Sequence, residues 1–110
     1  MKLVGWLFFA LTVFASMSYA GDERLWKSKC GSCHGIDGKA QTKQGLKMGM
    51  ADMTSPKWQT EFTDAKIKET LDKGVSRERN GKQQDMDSFR DDLTPEQISA
   101  LIRYVRTLAK

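Results

Sequence analysis

Histidine occurs once in these 110 residues, and cysteine and proline twice each. That scarcity excludes several chemistries. A tetrahedral zinc site built from Cys and His needs more ligands than the chain owns. A framework of several disulfides is excluded by the same count. Charge of one sign is also missing: 18 basic residues stand against 14 acidic ones, the two signs are interspersed, and no aromatic-basic platform for single strands appears. Nucleic acid is therefore not an expected partner. No segment shows convincing period-2 alternation, no internal repeat or low-complexity tract appears, and only one long apolar run exists.

That run is N-terminal. Lys2 gives a short positive start, Leu3 to Ala15 form an apolar stretch broken only by Gly5 and Thr12, and Ser18-Tyr19-Ala20 offers a small-x-small cleavage site. The stretch falls short of the ~20 residues of a membrane span, and Ser16 and Ser18 end it. A secretory signal peptide over residues 1–20, cleaved after Ala20, is expected in preference to a retained N-terminal anchor. Removal of Lys2 takes the formal net charge from +4 to +3. What remains, residues 21–110, has room for one domain. A chain of that size usually needs a staple besides its apolar core.

The two cysteines and the histidine are adjacent: Cys30-Gly31-Ser32-Cys33-His34. C-x-x-C-H is the signature of covalent c-type haem attachment. Two thiols at this spacing reach two vinyl groups of one porphyrin, and the next residue sets an imidazole under the iron. A thioredoxin-like pair would want a βαβ surround that the chain lacks, and a plain disulfide would leave His34 unexplained. One haem c, bound through thioethers at Cys30 and Cys33 with His34 as an axial ligand, is the expected cofactor. Thioether attachment takes place on the outer side of the energy-transducing membrane, in keeping with the leader, so a periplasmic location is expected.

The rest reads as helices and loops. Asp22 is placed to cap a helix running to about Cys33, with Leu25, Trp26 and Cys30 on one side. Gly35 to Pro56 reads as irregular. Thr63 caps a helix over 64–73 that Gly74 closes, with Ile67 and Leu71 as its apolar pair. Val75 to Gln84 reads as a polar loop. Thr94-Pro95-Glu96-Gln97 then supplies an N-cap, a first-turn proline and a capping-box residue. Ile98, Leu101, Ile102, Val105 and Leu108 mark one face of the last helix. First and last helices are expected to cross, with Trp26 and Tyr104 in contact.

Taken in order, these residues resemble a small single-haem cytochrome c of the class I type. The resemblance runs through Trp26, Cys30-x-x-Cys33-His34-Gly35, Asp52-Met53-Thr54 with Trp58, Thr63-Asp64 with Gly74, Met86-x-x-Phe89, and Leu93 to Arg106. It implies an all-α class I cytochrome c fold: three or more helices around one covalently attached haem, the N- and C-terminal helices crossing. It also implies a methionine opposite His34, since a second histidine does not exist. Of Met48, Met50, Met53 and Met86, the last matches the family's Met-Pro-x-Phe stretch, with Phe89 as the aromatic beside the haem; Met53 reads as core. Two departures stand out. Asp87 occupies the place of the proline after the ligand, and Gly45 to Ala51 lacks the proline whose carbonyl commonly receives the proximal histidine.

The function this implies is transfer of single electrons between redox protein partners, with no catalytic residues. Docking on a membrane oxidoreductase is compatible with it, and a monomer is expected. A haem-based gas sensor and a peroxidase-type enzyme are the alternatives. Both need an open or labile iron position, and the enzyme also needs polar distal groups.

Overall fold

Side-chain oxygens placed to receive the first free N–H groups start most of the helices. The computed structural model describes residues 19–110; most of the expected signal peptide lies outside the described residues. The chain runs α1 (Tyr19–Lys29), α2 (Gly31–His34), α3 (Lys43–Met48), α4 (Pro56–Glu61), α5 (Asp64–Lys73), β1 (Val75–Arg79), β2 (Lys82–Met86) and α6 (Pro95–Thr107). Thr42, Ser55, Thr63 and Thr94 cap α3 to α6 by accepting from the backbone N–H three residues on. Thr94 and Gln97 complete a reciprocal capping box.

The α5 and α6 boundaries are those the caps foretold. Three other stretches differ. The first helix is interrupted at Cys30, so the attachment motif sits in a separate short turn, α2. Asp22 is inside the first turn of α1 and faces Arg103 of α6 at 3.6 Å, with its side chain only 13% exposed. The segment expected to be irregular contains α3 and runs into α4. The stretch expected as a polar loop is an antiparallel hairpin, with Val75 opposite Met86 and Arg77 opposite Gln84. Its turn is Asn80-Gly81, both at positive φ, 53° and 76°. That dipeptide favours tight hairpins because its backbone twist matches that of the strands. The all-α fold that the resemblance implies thus carries one small sheet in addition.

One buried cluster holds the elements together. Trp26, Cys30, Met53, Ile67, Leu71, Leu93, Leu101 and Val105 form it, with Tyr104 and Met86 packed against its edge. α1 and α6 lie against each other, and the Trp26 and Tyr104 rings meet at 5.7 Å between centroids. Trp26 also donates its indole N–H to the carbonyl of Gly35 at 3.0 Å. The bond fixes the end of α2 against α1, which satisfies a buried donor and sets where the following loop departs.

Candidate functional site

A cavity of about 550 Å³ opens inside this frame. Cys30, Cys33 and His34 line one part of its wall, and Met86 and Phe89 of the post-hairpin segment line another. Trp58 of α4 and Phe62, the residue that follows the helix, stacked at 4.9 Å and 12°, also face it. The wall is mainly apolar, as ligand cavities are.

The C-x-x-C-H turn is held by its own backbone. His34 N–H donates to Cys30 O at 2.9 Å, and Ala40 N–H closes the following loop onto His34 O at 2.8 Å. Thr42 does two things at once: its hydroxyl donates to Cys33 O at 2.6 Å and accepts from Gly45 N–H as the cap of α3. α2 and α3 are thereby locked together beside the cavity. No disulfide joins Cys30 to Cys33, so both sulfurs are available for thioether bonds. Burial, with the neighbouring Cys33, pushes Cys30 up to about 12, so at neutral pH it is a thiol and not a thiolate.

His34 is the unusual group. Its Nδ1 is enclosed and has no hydrogen-bond partner, alone in this among buried side-chain polar atoms of the described residues. Burial lowers its pKa to about 4, so the imidazole is neutral at pH 7. No carbonyl of the described residues receives this nitrogen. A neutral imidazole at a cavity wall is the protonation state that ligates a metal.

All four methionines beyond the leader, Met48, Met50, Met53 and Met86, line the cavity, so position on the wall alone does not choose between them. Their anchoring differs. Met53 is in the buried cluster, its N–H donating to Gly38 O and its carbonyl accepting from Gln59 Nε2. Met86 ends β2, and its backbone lies hard against Gly74, the residue that closes α5. A Cβ at position 74 would stand 2.6 Å from Met86 O and 2.8 Å from Ser88 N, and the backbone there has φ of +72°. Only glycine satisfies both conditions, and that fit sets the Met86–Ser88 backbone beside α5. Phe89 N–H donates to Leu71 O at 2.8 Å and secures the far side of the segment.

Two features escaped the sequence reading. Gln84, a buried hairpin residue on the cavity wall, gave no signal because its neighbours are polar. Arg106 donates to Asp64, to Gln59 and to Phe62 O, tying α6 to the end of α4 and to the residue that follows it.

The residues present fit a covalently bound porphyrin. They offer two thiols, an imidazole whose buried nitrogen makes no internal bond, and a thioether, around one apolar cavity. Imidazole with thioether is the donor pair associated with c-type haem iron.

Comparison with known proteins gives a consistent result. Residues 20–109 match the family model for cytochrome c. A solved c-type cytochrome, KustC0563, is similar at a TM-score of 0.67 and 30% identity, over 81% of this chain and 98% of that one. No curated protein sequence matches significantly.

Proposed function

This chain belongs to the cytochrome c family and carries a covalently bound haem c, and we propose that it shuttles single electrons between redox proteins on the outer side of the cytoplasmic membrane. The observation that carries the reading is the meeting of Cys30, Cys33, His34 and Met86 on one cavity wall. Cys30 and Cys33 would hold the porphyrin as thioethers, and His34 and Met86 would ligate its iron. When bound, the haem supplies an iron that alternates between ferric and ferrous states without bonding to a substrate. The chain's own residues keep that centre dry and its ligands fixed. Trp26 and Leu101, the most deeply buried side chains, close the wall behind the attachment motif, and the Trp58–Phe62 stack lines another part of the cavity.

With both ligands supplied by the protein, the iron would have no position left for a substrate, and no residue is assigned a catalytic role. The leader supports export, and a periplasmic location follows from it. The partners are redox proteins, and docking on a membrane oxidoreductase is compatible with this role.

Covalent attachment is tested on the denatured protein. Haem staining should stay with the polypeptide on a denaturing gel, and haem extracted by acidified organic solvent would overturn the attachment at Cys30 and Cys33. Carbon monoxide separates the alternatives. A carrier with a firm sixth ligand should show little change in its reduced spectrum, whereas a sensor or peroxidase should bind the gas at once.

A further inference from the structure

The hairpin is the element that the helical frame does not require, and its inner face is informative. Side chains alternate across a strand, so Gln84 and Met86, two residues apart on β2, share one face. Both line the cavity, together with Val75 and Arg77, their partners on β1. Gln84 is one of two buried polar side chains among the described residues. Its amide is satisfied at both ends. Oε1 accepts from Arg77 Nε at 2.8 Å, and Nε2 donates to the carbonyls of Met48 at 2.9 Å and Gly49 at 3.2 Å. The bonds to Met48 and Gly49 cross from the hairpin to the end of α3. An apolar side chain of similar volume would fill the same space without the cost of burying an amide. What the amide adds is a link between two walls of one cavity.

We propose that Gln84 is a positioning residue for the sulfur of Met86. By latching the hairpin to the Met48–Gly49 turn, it holds β2 down over the cavity and keeps Met86 at the iron. The inference rests on Met86 being the axial ligand. Lifting β2, which would carry Met86 off the iron, breaks both bonds from Gln84 Nε2. Arg77 orients the amide so that its donor end faces the turn. Lys82 provides an outer comparison: its Nζ donates to Leu46 O at 3.1 Å from an exposed position on the same strand.

The test uses the ferric holoprotein titrated with imidazole, which competes with methionine for the iron, and follows the weak charge-transfer band of the Met–iron bond at the red end of the spectrum. Gln84→Leu keeps volume and removes every bond; Gln84→Glu keeps an acceptor for Arg77 and loses both donors. Both should bind imidazole about tenfold more tightly than the parent, the effect of one to two net hydrogen bonds. Lys82→Ala should stay within about twofold of the parent, as exposed side-chain bonds contribute little. If the Gln84 variants lose thermal stability yet bind imidazole like the parent, Gln84 is only structural and the proposal fails. Equal effects in Lys82→Ala and Gln84→Leu would also overturn it, since hairpin attachment in general would then govern access. Where the leucine variant does not accumulate, Gln84→Asn, too short to reach the turn, gives the same comparison. The underlying assignment has its own control: a red band that survives in Met86→Ala shows the ligand reading to be wrong, whatever Gln84 does.

Discussion

Met86 and Met53 line the same cavity but are held differently, and that contrast makes the ligand assignment testable residue by residue. Met86→Ala should abolish the red charge-transfer band, open the ferric iron to added imidazole and lower the reduction potential, because a soft thioether favours the ferrous state. Met53→Ala should leave the band in place and cost about 2–5 kcal/mol of stability, as for any buried methionine truncated to alanine. The reverse pattern would transfer the assignment to Met53. Away from the cavity, Asp52 sets a pH dependence. Hydrogen bonds from the Thr54 hydroxyl and backbone N–H hold its carboxylate below the ordinary aspartate range. A depressed folded pKa means the unfolded chain takes up the proton first. The stabilisation is therefore present above the ordinary aspartate value and is lost as pH falls through the depressed one. In Asp52→Asn, denaturation midpoints measured across the acid range should fall less steeply with pH than in the parent.

At the scale of elements, hairpin and last helix depend on different local devices. Gly81 has no heavy atom within 4 Å of where a Cβ would stand, and its φ is +76°. Gly81→Ala therefore meets no clash and tests conformation alone, with an expected loss of ~1 kcal/mol. Thr94→Ala removes the cap of α6 and should cost a similar ~1 kcal/mol. Denaturant midpoints check both, and neither variant should approach the roughly tenfold gain in imidazole affinity expected of Gln84→Leu. These devices explain what was legible in the sequence. Caps are local, a side chain bonding a backbone three residues on, so Thr63, Gly74 and Thr94 announced α5 and α6 correctly. The attachment motif was legible because covalent spacing dictates it. Ser55-Pro56 carries the same start signal as Thr94-Pro95, yet α4 lacks an apolar stripe long enough to display it. The hairpin hid for a related reason. Its strands are polar and mostly exposed, so alternation is silent and only Asn80-Gly81 speaks. The Gln84 latch and the unpartnered Nδ1 of His34 depend on register and on long-range packing, which no local pattern contains.

For the whole molecule, charge around the cavity decides how partners approach. Lys29, Arg77 and Arg79 line it together with Asp85 and Asp87, so both signs border the opening. Lys27 is already paired with Glu23 at 2.9 Å. Steering by such a mixed field should be weak. The rate of electron transfer to a small, highly charged oxidant should change by less than about tenfold between low and physiological salt. A steeper dependence of either sign, seen in stopped-flow measurements, would identify one patch as dominant. The pairing of α1 with α6 has a further consequence, one of timing. Cys30 is buried within a cluster that Leu101 and Val105 of α6 help to close, and the last residue is itself tied back, Lys110 N–H to Thr54 O at 3.1 Å. With α6 undocked, Cys30 is open on two sides; once the helix has docked, the cavity is the side from which it is reached. Thioether chemistry at Cys30 should therefore go most readily while α6 is undocked, and docking of that helix would then cover the bond.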